Sequence, residues 1–287
     1  MEVFMKKLSL IVLIALGIAF THESTAQVFD SPPRDGVYDK ITIPNREAVQ
    51  YPYLREADVF WSKRIWRVID MREKINHPFY YPVTPINDRR SLMQVIYDAV
   101  LEGAVTAYEA TSDEFLIPMT PEQVFANLND TIEEQLQRLE PPFDWYDTIY
   151  VIEFEPSDVR QFRLKEDWFF DKQRSVMDVR ILGICPIVES IDPTTGESRG
   201  TVPLFWIYFP EARPLFATVE IFNRHNRSER RSLDDIFAKR MFGSYIYKED
   251  NVYDRFISDY ARGLDALLES ERIKNEIFLL EHDLWEY

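Results

Sequence analysis

At 287 residues, with 33 basic against 49 acidic side chains, the chain carries a formal net charge of −16 at pH 7, with pI near 4.8. That balance makes nucleic acid and anionic lipid poor partners, while 46% hydrophobic and 14% aromatic residues provide for a large core rather than a disordered acidic tail. The single cysteine, Cys185, excludes an internal disulfide, a CxxC pair and a cysteine-rich zinc site, and no GxGxxG or GxxxxGK[ST] phosphate loop occurs.

The first residues read as an address. Lys6 and Lys7 precede an apolar run over 8–20, and small residues end the following polar stretch, so a signal peptide over 1–26 with cleavage after Ala26 is expected. The apolar run is shorter than the ~20 residues a spanning helix needs. Gln27 rather than cysteine follows the cut, so the mature chain is expected to be soluble, with no lipid anchor of its own and no direct membrane insertion.

Residues 27–53 then read as an extended arm, because Pro32, Pro33, Pro44 and Pro52 remove backbone donors and fix φ. Its apolar residues need a surface, supplied either by its own domain or by a neighbouring subunit. Tyr38, Ile41, Tyr51 and Tyr53 are its candidate partner-binding anchors, since tyrosine buries much area at low rotamer cost.

A single domain is expected over 54–287. The spacing of Trp61, Ile65, Val68 and Ile69 predicts a helix over 55–75, stopped at His77-Pro78. A second helix is expected over 91–108 from the stripe Leu92, Val95, Ile96, Ala99, Val100 and Ala104, and a short strand over 114–119. A third helix starts at Thr120, with Pro121 at its first position and Gln123 completing a capping box; Val124, Leu128, Ile132 and Leu136 carry it to Pro141-Pro142.

Residues 148–155, 175–191 and 201–209 switch to β-branched and aromatic composition and are expected to pair in one antiparallel sheet, with 192–200 as a hairpin turn rather than a calcium loop. Helices are expected again over 210–223, after the capping box Ser232 to Asp235, and over 253–274, with apolar residues continuing over 277–285. The order points to an α+β domain, an antiparallel sheet from the middle of the chain packed with helices from both ends.

Chemistry-bearing constellations are few. Cys185 lies in an apolar strand and reads as an inert thiol, not as the nucleophile of a pair with His225. His77, His225 and His282 form no HxH or HExxH arrangement, and no metal or cofactor is expected. Glu166, Asp167 and Asp171 flank Trp168, Phe169 and Phe170; this cluster could serve a glycan-binding or glycan-cleaving protein, or could be a strand or turn whose rings enter the core and whose acids stay wet. Arg224, Arg227, Arg230, Arg231, Lys239 and Arg240 form the strongest positive cluster and could meet an acidic neighbour, or could be a solvated flank worth little per pair.

Long segments then carry a family resemblance: RLKEDWFFDKQRS (163–175), VRILGICPI (179–187), LFWIYFPEAR (204–213), RRSLDDIFAKRMF (230–242) and GLDALLESERIKNEIFLLEHDLWEY (263–287). Together with the stretch from Gly36 to Asn76, these resemble the gliding-motility protein family GldN, called PorN in non-gliding relatives. The resemblance implies a non-enzymatic, periplasmic ring subunit of the type IX secretion system of Bacteroidota. It would self-associate, bind a GldK/PorK-like outer-membrane lipoprotein, and connect to the motor proteins GldL and GldM. The family supplies no catalytic residues to transfer, so the partner-binding candidates are Tyr38, Ile41, Tyr51, Tyr53, Trp168, Phe169, Phe170, Arg230 and Arg231.

Overall fold

The structure is a computed structural model that describes residues 37, 40–86, 89–137, 145–191, 198–223, 226 and 228–284. Its contacts divide the chain into 1–40 and 41–287. Of the first unit only Val37 and Lys40 are described, and the expected leader and Tyr38 lie outside the described residues. All that follows concerns the second unit.

The first element after a short 3-10 turn (Glu56–Asp58) corrects the expectation of a helix over 55–75: Val59–Asp70 is a strand, β1. Aromatic and β-branched residues populate it, and its basic side chains have partners only a neighbouring strand can offer. Arg64 pairs with Asp167 directly opposite at 2.6 Å, and Lys63 with Glu249 at 2.7 Å. The helical spacing of its apolar residues is coincidental; cross-strand pairing decides the state.

A one-turn helix α1 (His77–Tyr80) leads to α2 (Leu92–Leu101), capped reciprocally by Ser91 and Gln94. Strands β2 (Ala107–Glu109) and β3 (Pro118–Met119) follow, then α3 (Pro121–Leu128) with the Thr120–Gln123 capping box. The helix stops at Leu128, not near residue 140, because Asn129 turns extended and β4 (Asp130–Gln137) begins, paired with β5 (Trp145–Ile152) as a separate two-stranded ribbon. The stretch expected around 148–155 therefore lies outside the main sheet.

The centre of that sheet is a strand the periodicity missed, β6 (Val159–Asp171), which pairs with β1 on one side and with β7 (Val176–Ile191) on the other. β8 (Ser198–Pro203) and β9 (Phe205–Tyr208) both pair with β7. The turn residues 192–197 lie outside the described residues. After β9 come α4 (Phe209–Thr218), the small ladder of β10 (Glu220–Ile221) with β11 (Arg231–Ser232), and α5 (Leu233–Ala238) behind the Ser232–Asp235 capping box. β12 (Tyr245–Glu249), the single turn α6 (Ile257–Tyr260) and the long α7 (Leu264–Asp283) complete the chain. α7 starts eleven residues later than expected at 253 because Gly263 takes φ +59, a left-handed value incompatible with a helix interior.

The main sheet runs β12-β1-β6-β7-β9-β2-β3, antiparallel throughout, with β8 on β7. The α+β class with a large antiparallel sheet is as expected, although the sheet draws strands from both ends of the chain and not only its middle.

Pleating assigns alternate residues to opposite faces. Ile69, Phe162, Leu164 and Ile184 face the main core, with α2, α4 and α5. There Phe237 stacks on Phe79 at 5.0 Å and meets Phe209 edge-on at 5.1 Å. On the other face Trp66, Cys185 and Trp206 are covered by Phe115 and Tyr108. Burial on both faces explains why β7 reads as an almost continuous apolar run. A third cluster, Ile65, Ile246, Ile257, Ile273 and Ile277, fastens α7 to the sheet.

Candidate interaction site

β6 places Trp168 and Phe170 on one face and Phe169 on the other, because side chains alternate along a strand. The three rings cannot form one platform. Phe169 is 4% exposed, beneath the Arg180 guanidinium at 5.3 Å, and is not available as a surface anchor. Phe170 meets Phe60 edge-on at 6.4 Å. Trp168 lies between two arginines, Arg67 at 5.6 Å and Arg240 at 5.1 Å from its ring centroid.

The expectation that the neighbouring acids stay wet is overturned. Glu166 is 0% exposed. Arg240 donates to both of its oxygens at 2.9 and 3.1 Å, the Trp168 indole N–H donates at 3.0 Å, and Arg67 Nε lies 3.2 Å away. Asp171 accepts from the Arg174 guanidinium at 2.7 Å and from the Gln173 amide at 2.8 Å, and the Arg174 bond holds its carboxyl below the ordinary range. A carboxylate engaged in this way orders the structure and is poorly placed for acid–base work on a sugar. Arg67 and Arg240 come from segments far from Glu166 in sequence, so no local pattern could have signalled the node.

Residues 41–53 of the arm lie on the domain they precede. Ile43 is 2% exposed, Arg46 donates to both oxygens of Asp235 at 2.5 and 2.8 Å, and Arg180 donates to the Pro52 carbonyl at 2.6 Å. Tyr51 sits over Arg213 at 4.1 Å and Arg180 at 5.0 Å, with Arg213 in turn held by Asp234 at 2.9 and 3.1 Å. Desolvation raises the Tyr51 hydroxyl pKa above its ordinary value. Ile41 and Tyr53 are exposed, Tyr53 by 87%.

The basic cluster is largely spoken for. Arg230 reaches Glu220 at 2.5 Å across the β10–β11 ladder, Arg231 reaches Glu229 at 2.6 Å, and Arg240 serves Glu166. Arg224, Arg227 and His225 lie outside the described residues. Cys185 is fully buried, and desolvation pushes its thiol up to about 12, which leaves no thiolate at neutral pH. Among the described residues no group of His, Cys, Asp and Glu could hold a metal ion, and no helix is long and apolar enough to cross a membrane.

Among the described residues α7 carries five exposed large hydrophobic side chains. Ile273 and Ile277 point inward, whereas Leu264, Leu267, Leu268, Phe278 and Leu279 are exposed. At 100° per residue those five fall within roughly a third of the helix circumference, opposite the buried row. Spacing alone groups Leu264, Leu267 and Leu268 with Ile257 on one stripe; the structure separates them. Glu271 and Asn275 fall in the same sector, so the outward side of α7 offers solvent two apolar patches, one at each end of the helix.

Residues 54–286 match the family model described as gliding motility associated protein GldN, and the chain belongs to that family, whose members are associated with gliding motility. No curated protein sequence matches the chain.

Proposed function

From this chain's membership of the GldN family we infer a structural subunit, without catalytic chemistry, of the type IX secretion and gliding-motility machinery. In this reading it is periplasmic after removal of 1–26 and is held at the outer membrane by a GldK/PorK-like lipoprotein. It forms a ring with further copies of itself and couples to a GldM-like motor component. The observation that supports the structural role is the pair of outward apolar patches on α7, Leu264, Leu267 and Leu268 at one end and Phe278 and Leu279 at the other, surface suited to a protein partner. The engagement of Glu166, Asp167 and Asp171 by arginines supports it, because no acid of the aromatic and acidic stretch is left unpaired, and Cys185 on the neighbouring strand is buried. The glycan reading has no comparable support, because its three rings face two ways.

The test is chemical crosslinking of the native envelope followed by mass determination, on the native chain and on the double variant Leu268→Glu, Leu279→Glu. The expected result is a high-mass complex containing a lipoprotein, lost in the double variant while the purified variant keeps its native circular dichroism. Recovery of the native chain as a lone monomer would overturn the assembly role. A complex that survives both substitutions would remove α7 from it.

A further inference from the structure

Between β1, β6, the turn before β12 and the second half of α7 lies an open cavity of about 400 Å³, lined by Arg67, Trp168, Arg240, Phe242, Gly243, Ser244, Lys274, Ile277, Phe278 and Glu281. We propose that this cavity is a binding site for a carboxylate carried on an apolar group.

Charges around the cavity balance, but cations rather than the acids Glu166 and Glu271 that offset them stand on its wall. Three cations, Arg67, Arg240 and Lys274, line the space against the single acid Glu281, and Glu166 behind them is one carboxylate shared by two guanidinium groups. Lys274 is partnered by Glu271 at 3.3 Å, outside the cavity.

Arg67 also has donor capacity to spare. It is 6% exposed, yet its Nε makes no hydrogen bond, because it lies near Glu166 without the alignment to donate, and its Nη1 has only a 3.5 Å contact to Ser244. Guanidinium N–H groups in a partly dry site form their strongest bonds with a second planar anion. Burial lowers the Arg67 pKa, with Glu166 opposing that shift and the neighbouring Arg240 adding to it.

The backbone is strained at the same place. Arg240 holds φ +52, a left-handed conformation that is unfavourable for a non-glycine residue. A glycine there would end α5 without that cost but could not place a guanidinium between Trp168 and Glu166. The apolar half of the ligand is set chiefly by the exposed Phe278, which a bare acetate would leave uncovered, since Trp168 is flanked by Arg67 and Arg240 and Phe242 is largely buried.

The purified chain, labelled with ¹⁵N, is titrated with 3-phenylpropionate and, as neutral control, 3-phenylpropanamide, following the Trp168 indole and Arg67 Nε–H signals. Saturable shifts at these groups are expected, with the acid binding about tenfold or more tighter than the amide. Lys274→Glu and Phe278→Ala, both at the exposed rim, are expected to weaken the acid several-fold with an unchanged fold. A parallel titration with acetyl-Phe-Glu-Phe-amide distinguishes the sources: tighter binding than the free acid indicates a polypeptide side chain, weaker binding a free small carboxylate, and either ranking supports the site. Equal affinity for acid and amide, shifts confined to other regions, or no saturable response would overturn the proposal.

Discussion

Neutralising Glu166 should be among the most damaging single changes in the molecule. In Glu166→Gln the side chain keeps its volume, but the Arg240 and Arg67 guanidinium groups, and the Trp168 indole, lose the anion they share. Removing one partner of a buried ion pair costs about 3–5 kcal/mol, because the remaining charge stays desolvated. The Arg240 side chain is 25% exposed against 7% for Arg67, so water recovers part of the loss on one side only, and the low end, about 3 kcal/mol, is expected. Against a total of roughly 5–15 kcal/mol that leaves a folded protein whose melting temperature falls by about 6–12 °C. The assay is urea denaturation followed by tryptophan fluorescence, with a double-mutant cycle adding Arg240→Met. The arginine substitution should cost about 1–3 kcal/mol less in the Glu166→Gln background than in the native one. A Glu166→Gln loss below about 1 kcal/mol, or additive effects of the two substitutions, would show that the node is solvated and that the reasoning fails.

Cys185, with its thiol pushed up to about 12 by burial, should resist a thiol reagent at pH 8 in the native state and react only in denaturant; rapid native labelling would contradict its position in the core. Tyr51→Ala should cost about 1–2 kcal/mol through lost stacking on Arg213 and Arg180, and should increase proteolysis within 41–53; unchanged cleavage would mean the segment is not held there in solution. Asp70 is partly buried, which alone would raise its pKa, but donors from Arg72 and Gln161 outweigh this and bring it from 3.8 to about 2. Its folded value lies below its unfolded one, so its contribution is present above pH 3.8 and is lost as pH falls through about 2. Because its main partner, the Arg72 side chain, is 66% exposed, solvent screening shrinks the roughly 2 kcal/mol that shift would suggest to under about 1 kcal/mol. Asp70→Asn should therefore flatten the acid limb of the stability curve only slightly, and a large effect would mean the carboxylate is more enclosed.

Sequence alone determined those features governed by neighbours along the chain. The capping boxes at Thr120 and Ser232, the strand over 175–191 and the stripe of α2 all rest on residues within one or two turns or on one strand; each forms, although α2 ends at Leu101 rather than 108 and leaves Ala104 exposed outside it. The α+β class followed from them, and the family from long unusual segments that needed no folding to be recognised. What only the tertiary structure decided is whatever depends on partners distant in sequence. Trp61, Ile65, Val68 and Ile69 fit a helix until β6 and β12 supply strands on both sides of them, together with acids for Arg64 and Lys63. Trp168, Phe169 and Phe170 fit a platform until the pleat turns them apart, and Glu166 counts as a wet acid until Arg240, 74 residues away, closes on it. Local propensities amount to tenths of a kcal/mol per residue, whereas pairing a strand or enclosing a charge is worth several, so the long-range term prevails wherever the two disagree.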